Sequence, residues 1–62
     1  MWIRSKEGLF NTNQMSNIYE SKSGGTRATD SSERRVLFIS ENEVLDEIAE
    51  GLKFHKEYLE VD

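Results

Sequence analysis

The spacing of apolar positions changes once along this chain, at Ser40. Upstream, Arg34 to Ile39 is an apolar run rich in β-branched and aromatic residues, which predicts a strand. Downstream, apolar residues recur at Leu45, Ile48, Ala49 and Leu52 with acids between them, which predicts an amphipathic helix from about Glu41 to at least Leu52. Ser40 and Glu43 stand in S-x-x-E spacing, so a capping box is expected at the junction. Ser40 would accept from the Glu43 N–H, and the Glu43 carboxylate from the Ser40 N–H. On this reading Leu45, Ile48 and Leu52 face the sheet. Leu52→Ala is then expected to destabilise more than any surface change, by about 2–5 kcal/mol.

Shorter strand-like segments precede this junction. Trp2-Ile3-Arg4 and Leu9-Phe10-Asn11 flank the turn residues Ser5-Lys6-Glu7-Gly8, so residues 2–11 read as a hairpin. Asn11 to Gln14 is a polar turn cluster, and the stretch Met15 to Lys22 reads as a strand in its second half. Gly24-Gly25 is a hairpin signal before a weaker strand at Thr26 to Thr29, and Asp30 to Glu33 is a further turn. The far end is open to two readings. Gly51 costs about 1 kcal/mol in a helix interior. Phe54 and Tyr58 are i, i+4 partners on the far side from Leu45 and Leu52. Either the helix continues with a second apolar stripe, or it ends near Lys53–Lys56 and Tyr58 to Val61 is a short extended tail. The second reading is favoured. The expected class is α+β, an antiparallel β-meander of four or five short strands with one C-terminal amphipathic helix, in a single domain over residues 1–62.

Alternation within the Arg34–Ile39 run bears on partners. Val36 and Phe38 point to one face and Leu37 and Ile39 to the other, so both faces are apolar. One helix covers one face of a small sheet, and a strand facing water normally alternates apolar with polar. Trp2-Ile3 and Leu9-Phe10 pose the same question. A homodimer that buries the second face is one answer; a curled sheet shielded by strand ends and the C-terminal tail is the other.

Size sharpens the point. A chain of 62 residues leaves much of its surface exposed after folding, and small domains compensate with disulfides, metals or oligomerisation. With no cysteine and one histidine, His55, oligomerisation is the route left. No apolar run is long enough for a membrane span, and the N-terminal residues lack a signal-peptide core, so a cytoplasmic protein is expected. The net charge of −4 is uneven. Residues 1–35 carry six Lys/Arg against four acids, and residues 36–62 carry two lysines against eight acids. The acids read as the solvated helix face, with Glu41 and Glu43 complementing its dipole.

Motifs for chemistry are missing. His55 has no serine or cysteine that spacing places beside it, and its neighbours Lys56 and Glu57 suggest a solvated position. Glu43, Asp46, Glu47 and Glu50 share a helix face but lack the converging loop ligands of a calcium or magnesium site. Ser23-Gly24-Gly25-Thr26 lacks the Gly-Lys-Ser/Thr of a phosphate loop. No catalytic, metal or cofactor-binding residue is therefore assigned. Arg4, Arg27, Arg34 and Arg35, with Lys22, are candidate nucleic-acid contacts, and Tyr19 or Trp2 would stack on bases. A pI near 4.9 argues against long-range attraction for phosphate. Phe54, Tyr58 and Trp2 are the candidate protein-interaction surface.

Met1-Trp2-Ile3-Arg4-Ser5-Lys6-Glu7-Gly8, Asn11 before a Met15/Ile18 strand, the run ending Leu37-Phe38-Ile39-Ser40, and the acidic helix of Glu43 to Leu52 together span nearly the whole chain. In these features it resembles short uncharacterised bacterial and prophage-encoded proteins of about this length. The resemblance implies a small β-meander plus helix in a bacterial cytoplasm and transfers no activity. Phe54-His55 departs from the glycine-bearing break expected after such a helix. The expected function is a non-enzymatic protein-interaction module of unknown role and partner, with a homodimer as one of its two open forms. The alternative is a single-stranded nucleic-acid-binding accessory protein.

Overall fold

A computed structural model of the protein describes residues 1–32 and 36–61, with Val36 described by its backbone alone. Strands β1 (Trp2–Ser5), β2 (Gly8–Asn11), β3 (Asn17–Glu20), β4 (Thr26–Thr29) and β5 (Val36–Ser40) precede helix α1 (Leu45–Lys53) and strand β6 (Tyr58–Glu60). The class is α+β, as the pattern predicts. The strands divide into two three-stranded sheets, ordered β2-β1-β6 and β3-β4-β5. The second is an antiparallel meander. The first is mixed, because β6 runs parallel to β1 with Trp2 opposite Tyr58 and Ile3 opposite Leu59. The favoured extended reading of Tyr58 to Val61 is thus correct. The segment is a sheet strand, held by bonds from the Trp2 N–H to the Glu57 carbonyl and from the Val61 N–H to the Arg4 carbonyl.

The β1–β2 hairpin closes through Lys6 and Glu7, with Ser5 opposite Gly8. The Ser5 hydroxyl accepts from the Glu7 N–H at 3.1 Å. The core lies between the two sheets and beneath α1, and is formed by Ile3, Ala28, Ile39, Val44, Ile48 and Val61, with Met1, Met15, Ile18, Leu37 and Leu59 packed around it.

The expected helix start is corrected. Strand β5 runs through Ser40, which pairs with Thr26, so Ser40 is still extended where a cap was expected. Its hydroxyl accepts from the Asn42 N–H at 3.0 Å, and α1 begins at Leu45 after the cap residue Val44, which has no side-chain cap bond. Thr26 on β4 supplies the missing partner. Its fully buried hydroxyl accepts from the Val44 N–H at 2.8 Å and donates to the Asn42 carbonyl at 3.0 Å. Asp46 and Glu47 in the first turn complement the dipole.

The helix face is corrected as well. Val44, Ile48 and Gly51 point inward, whereas Leu52 is 44 % exposed and is not the main packing residue. Gly51 sets this rotation. A Cβ there would lie 3.0 Å from Met1 Sδ and 3.9 Å from a Leu59 methyl, so glycine lets α1 approach the β1–β6 sheet closely. The helix ends in a Schellman motif. The Lys56 N–H bonds the Gly51 carbonyl at 2.9 Å and the His55 N–H bonds that of Leu52 at 3.2 Å. His55 occupies the left-handed position, with φ 57°.

Candidate interaction surfaces

Alternation along β1 buries Ile3 and Ser5 and turns Trp2 and Arg4 outward. Register then fixes their neighbours. Trp2 lies between Asn11 and Tyr58, and Arg4 between Leu9 and Glu60. The outer face of the β2-β1-β6 sheet therefore carries an aromatic pair, Trp2 and Tyr58, with Leu9 on the diagonal. All three stay about half exposed, at 46 %, 50 % and 57 %. Depressions of about 410 and 480 Å³ flank the pair, one reaching Phe10 and Leu37 and the other lined by Arg4, Lys6, Leu9 and Tyr58. Two of the three residues expected to make contacts are thus brought together. Phe54, exposed beyond α1, lies in a separate depression with Ala49, Glu50 and Lys53. The Lys53 ammonium stands 5.8 Å from its ring centroid.

The outer face of β3-β4-β5 is different. Tyr19, Arg27 and Phe38 form one cross-strand row, and the Arg27 guanidinium sits 5.2 Å from the Phe38 ring centroid. This stack shields Phe38 to half-burial, so the chain itself covers part of the second apolar face of β5. Among the described residues the buried Arg27 Nε has no hydrogen-bond partner. Arg4 and Arg27 lie on different sheets rather than in one basic patch, and Arg34 and Arg35 lie outside the described residues.

A third surface escaped the sequence pattern. Between α1 and the start of edge strand β3 runs a groove of about 400 Å³, lined by Met15, Ile18, Leu45, Ile48, Ala49 and Leu52, with the polar residues Thr12, Asn13, Ser16 and Asn17 completing the lining. Near the start of α1, carboxylates gather from separate segments. Glu20 at the end of β3 is held above its ordinary pKa by a hydrogen bond with Glu43, then by desolvation and by the charges of Glu43 and Asp46. The periodic spacing of the helix acids is visible in the sequence; Glu20 joins them only through tertiary structure. Among the described residues no three His, Cys, Asp or Glu side chains are placed to hold a metal ion. His55 is exposed and serves as a backbone cap.

These features define a small α+β protein with two exposed sheet faces and one helix–strand groove. No protein-family model, curated protein or solved structure matches the chain. Among the described residues no helix is long and apolar enough to cross a membrane.

Proposed function

We propose that the protein is a non-enzymatic interaction module that forms a homodimer through the outer face of its β2-β1-β6 sheet. The observation that carries this reading is the exposed Trp2–Tyr58 pair with Leu9 beside it. Tryptophan and tyrosine dominate the energetics of protein interfaces. The face is also self-complementary in charge, because Arg4 and Glu60 are register neighbours on it. A two-fold axis would set the cation of one copy against the anion of the other. A small core supports the same reading, since a second copy adds burial that 62 residues cannot supply alone.

Trp2 is the sole tryptophan and reports on its own face. On dilution from the dimer its emission should shift to the red as water reaches the indole. A Trp2→Ala variant should sediment as a monomer at concentrations where the parent is dimeric. Emission independent of concentration, with an unchanged sedimentation profile for Trp2→Ala, would refute this reading.

A second reading rests on the Tyr19–Arg27–Phe38 row. Two aromatics flanking an arginine on an antiparallel sheet suit stacking of single-stranded bases with a phosphate contact. Binding of a fluorescent oligothymidylate that weakens steeply with salt and is lost in Arg27→Gln would support it; salt-insensitive or absent binding would remove it.

A further inference from the structure

The groove between α1 and β3 is separate from both sheet faces. Strand β3 is the edge of its sheet. The Ser21 N–H, just beyond its end, bonds the Gly25 carbonyl at 2.9 Å. Bonded and non-bonded pairs alternate along an antiparallel ladder. The pairs Ile18–Ala28 and Glu20–Thr26 are therefore the ones whose β3 residues direct N–H and C=O away from β4, toward the open edge. Ile18 and Glu20 are also two residues apart, so both side chains lie on the face turned to α1. Ile18 lines the apolar groove. Glu20 shares its end of the strand with Glu43 and Asp46; a hydrogen bond with Glu43, then desolvation and the charges of Glu43 and Asp46, raise its pKa above the ordinary carboxylate value.

We propose that this groove takes an extended peptide segment of another protein, added as a fourth strand on β3, with an apolar side chain over Ile18 and a lysine or arginine two positions away against Glu20. Main-chain bonds to an open sheet edge supply affinity in this mode and alternate side chains supply specificity. The apolar residue enters among Ile18, Leu45, Ala49 and Leu52, which explains why Leu52 stays exposed. The cation relieves the like-charge crowding of Glu20, Glu43 and Asp46 at the end of β3, beside rather than within the groove. Spacing of two follows from the strand period, because the residues facing Ile18 and Glu20 must share a face. An antiparallel segment places the cation before the apolar residue, and a parallel one places it after.

The test is an amide NMR titration of the full chain with synthetic octapeptides on a serine/threonine host. Two carry one leucine and one lysine two positions apart, one in each order. The controls place leucine and lysine adjacent, or replace lysine by glutamate. One of the first two should shift the amides of β3 and α1, and slow hydrogen exchange at the Ile18 and Glu20 N–H by about tenfold at saturation. Both controls should bind weaker by about fivefold or more. Glu20→Lys should transfer the preference to the glutamate peptide, and Leu52→Gln, at an exposed position, should weaken every peptide while leaving the fold intact. Trp2→Ala should leave binding unchanged, which separates this site from the proposed dimer face. Equal binding of all four peptides, shifts without exchange protection, or groove shifts that follow protein concentration without peptide would each overturn the proposal.

Discussion

Gly25 shows how closely one backbone position is specified. Its φ is +85°, and a Cβ there would lie 2.6 Å from the Ser40 carbonyl oxygen. Gly25→Ala should cost about 2 kcal/mol or more, since both the left-handed backbone and the contact with β5 oppose it; chemical denaturation measures this directly. His55 is the opposite case, a non-glycine residue at the left-handed cap. His55→Gly should stabilise by about 0.5–1 kcal/mol, because the Cβ penalty at that φ exceeds the entropy glycine gains in the unfolded chain. Glu20 carries a pH signature. Its pKa is raised in the folded state by Glu43, desolvation and Asp46. The folded protein therefore binds that proton more tightly than the unfolded chain. Stability is full below the ordinary carboxylate range and falls as pH rises through it to the raised value. Glu20→Gln should raise the melting temperature at pH near 7, and the gain should vanish in acid, where Glu20 is protonated in both states.

At the scale of elements, helix α1 tests the corrected packing. Ile48 is fully buried and Leu52 is 44 % exposed. Ile48→Ala should cost about 2–5 kcal/mol, and Leu52→Ala about 1 kcal/mol or less. Equal losses would mean that the helix is rotated from the orientation described. The N-terminal end of α1 is tied to β4 by one hydroxyl. Thr26→Val keeps the shape and removes the acceptor of the buried Val44 N–H and the donor to the Asn42 carbonyl, so it should cost about 1–3 kcal/mol. Periodicity made the helix and its amphipathicity legible, and turn chemistry made both hairpins legible. The S-x-x-E spacing misled because local capping competes with strand pairing. Ser40 is held extended by Thr26, a contact fourteen positions away that no local pattern contains. Gly51 left the helix end open to two readings for a related reason. Its penalty is local, while its benefit, close approach to Met1 and Leu59, is tertiary.

At the scale of the molecule, the α+β class was readable and the division into two sheets was not. A meander places each strand beside its sequence neighbour. Here the last strand returns to the first, across more than fifty residues, to make a parallel pair. That return also assembles the candidate surface. Trp2 and Tyr58 were legible separately as candidate contact residues, but their adjacency depends on the β1–β6 register. Phe54, grouped with them on chemistry, is set apart because α1 ends one residue before it. The Arg27–Phe38 stack covers part of the β3-β4-β5 face, whereas Trp2, Leu9 and Tyr58 stay exposed on β2-β1-β6, and Leu52 and Phe54 at the helix.

Sedimentation velocity of the unmodified chain across a tenfold dilution series at micromolar concentration tests the central claim, self-association through the Trp2–Tyr58 face, most directly. Self-association through this face gives a species of twice the 7.2 kDa chain mass that dissociates on dilution. A single 7.2 kDa species at every concentration would contradict it.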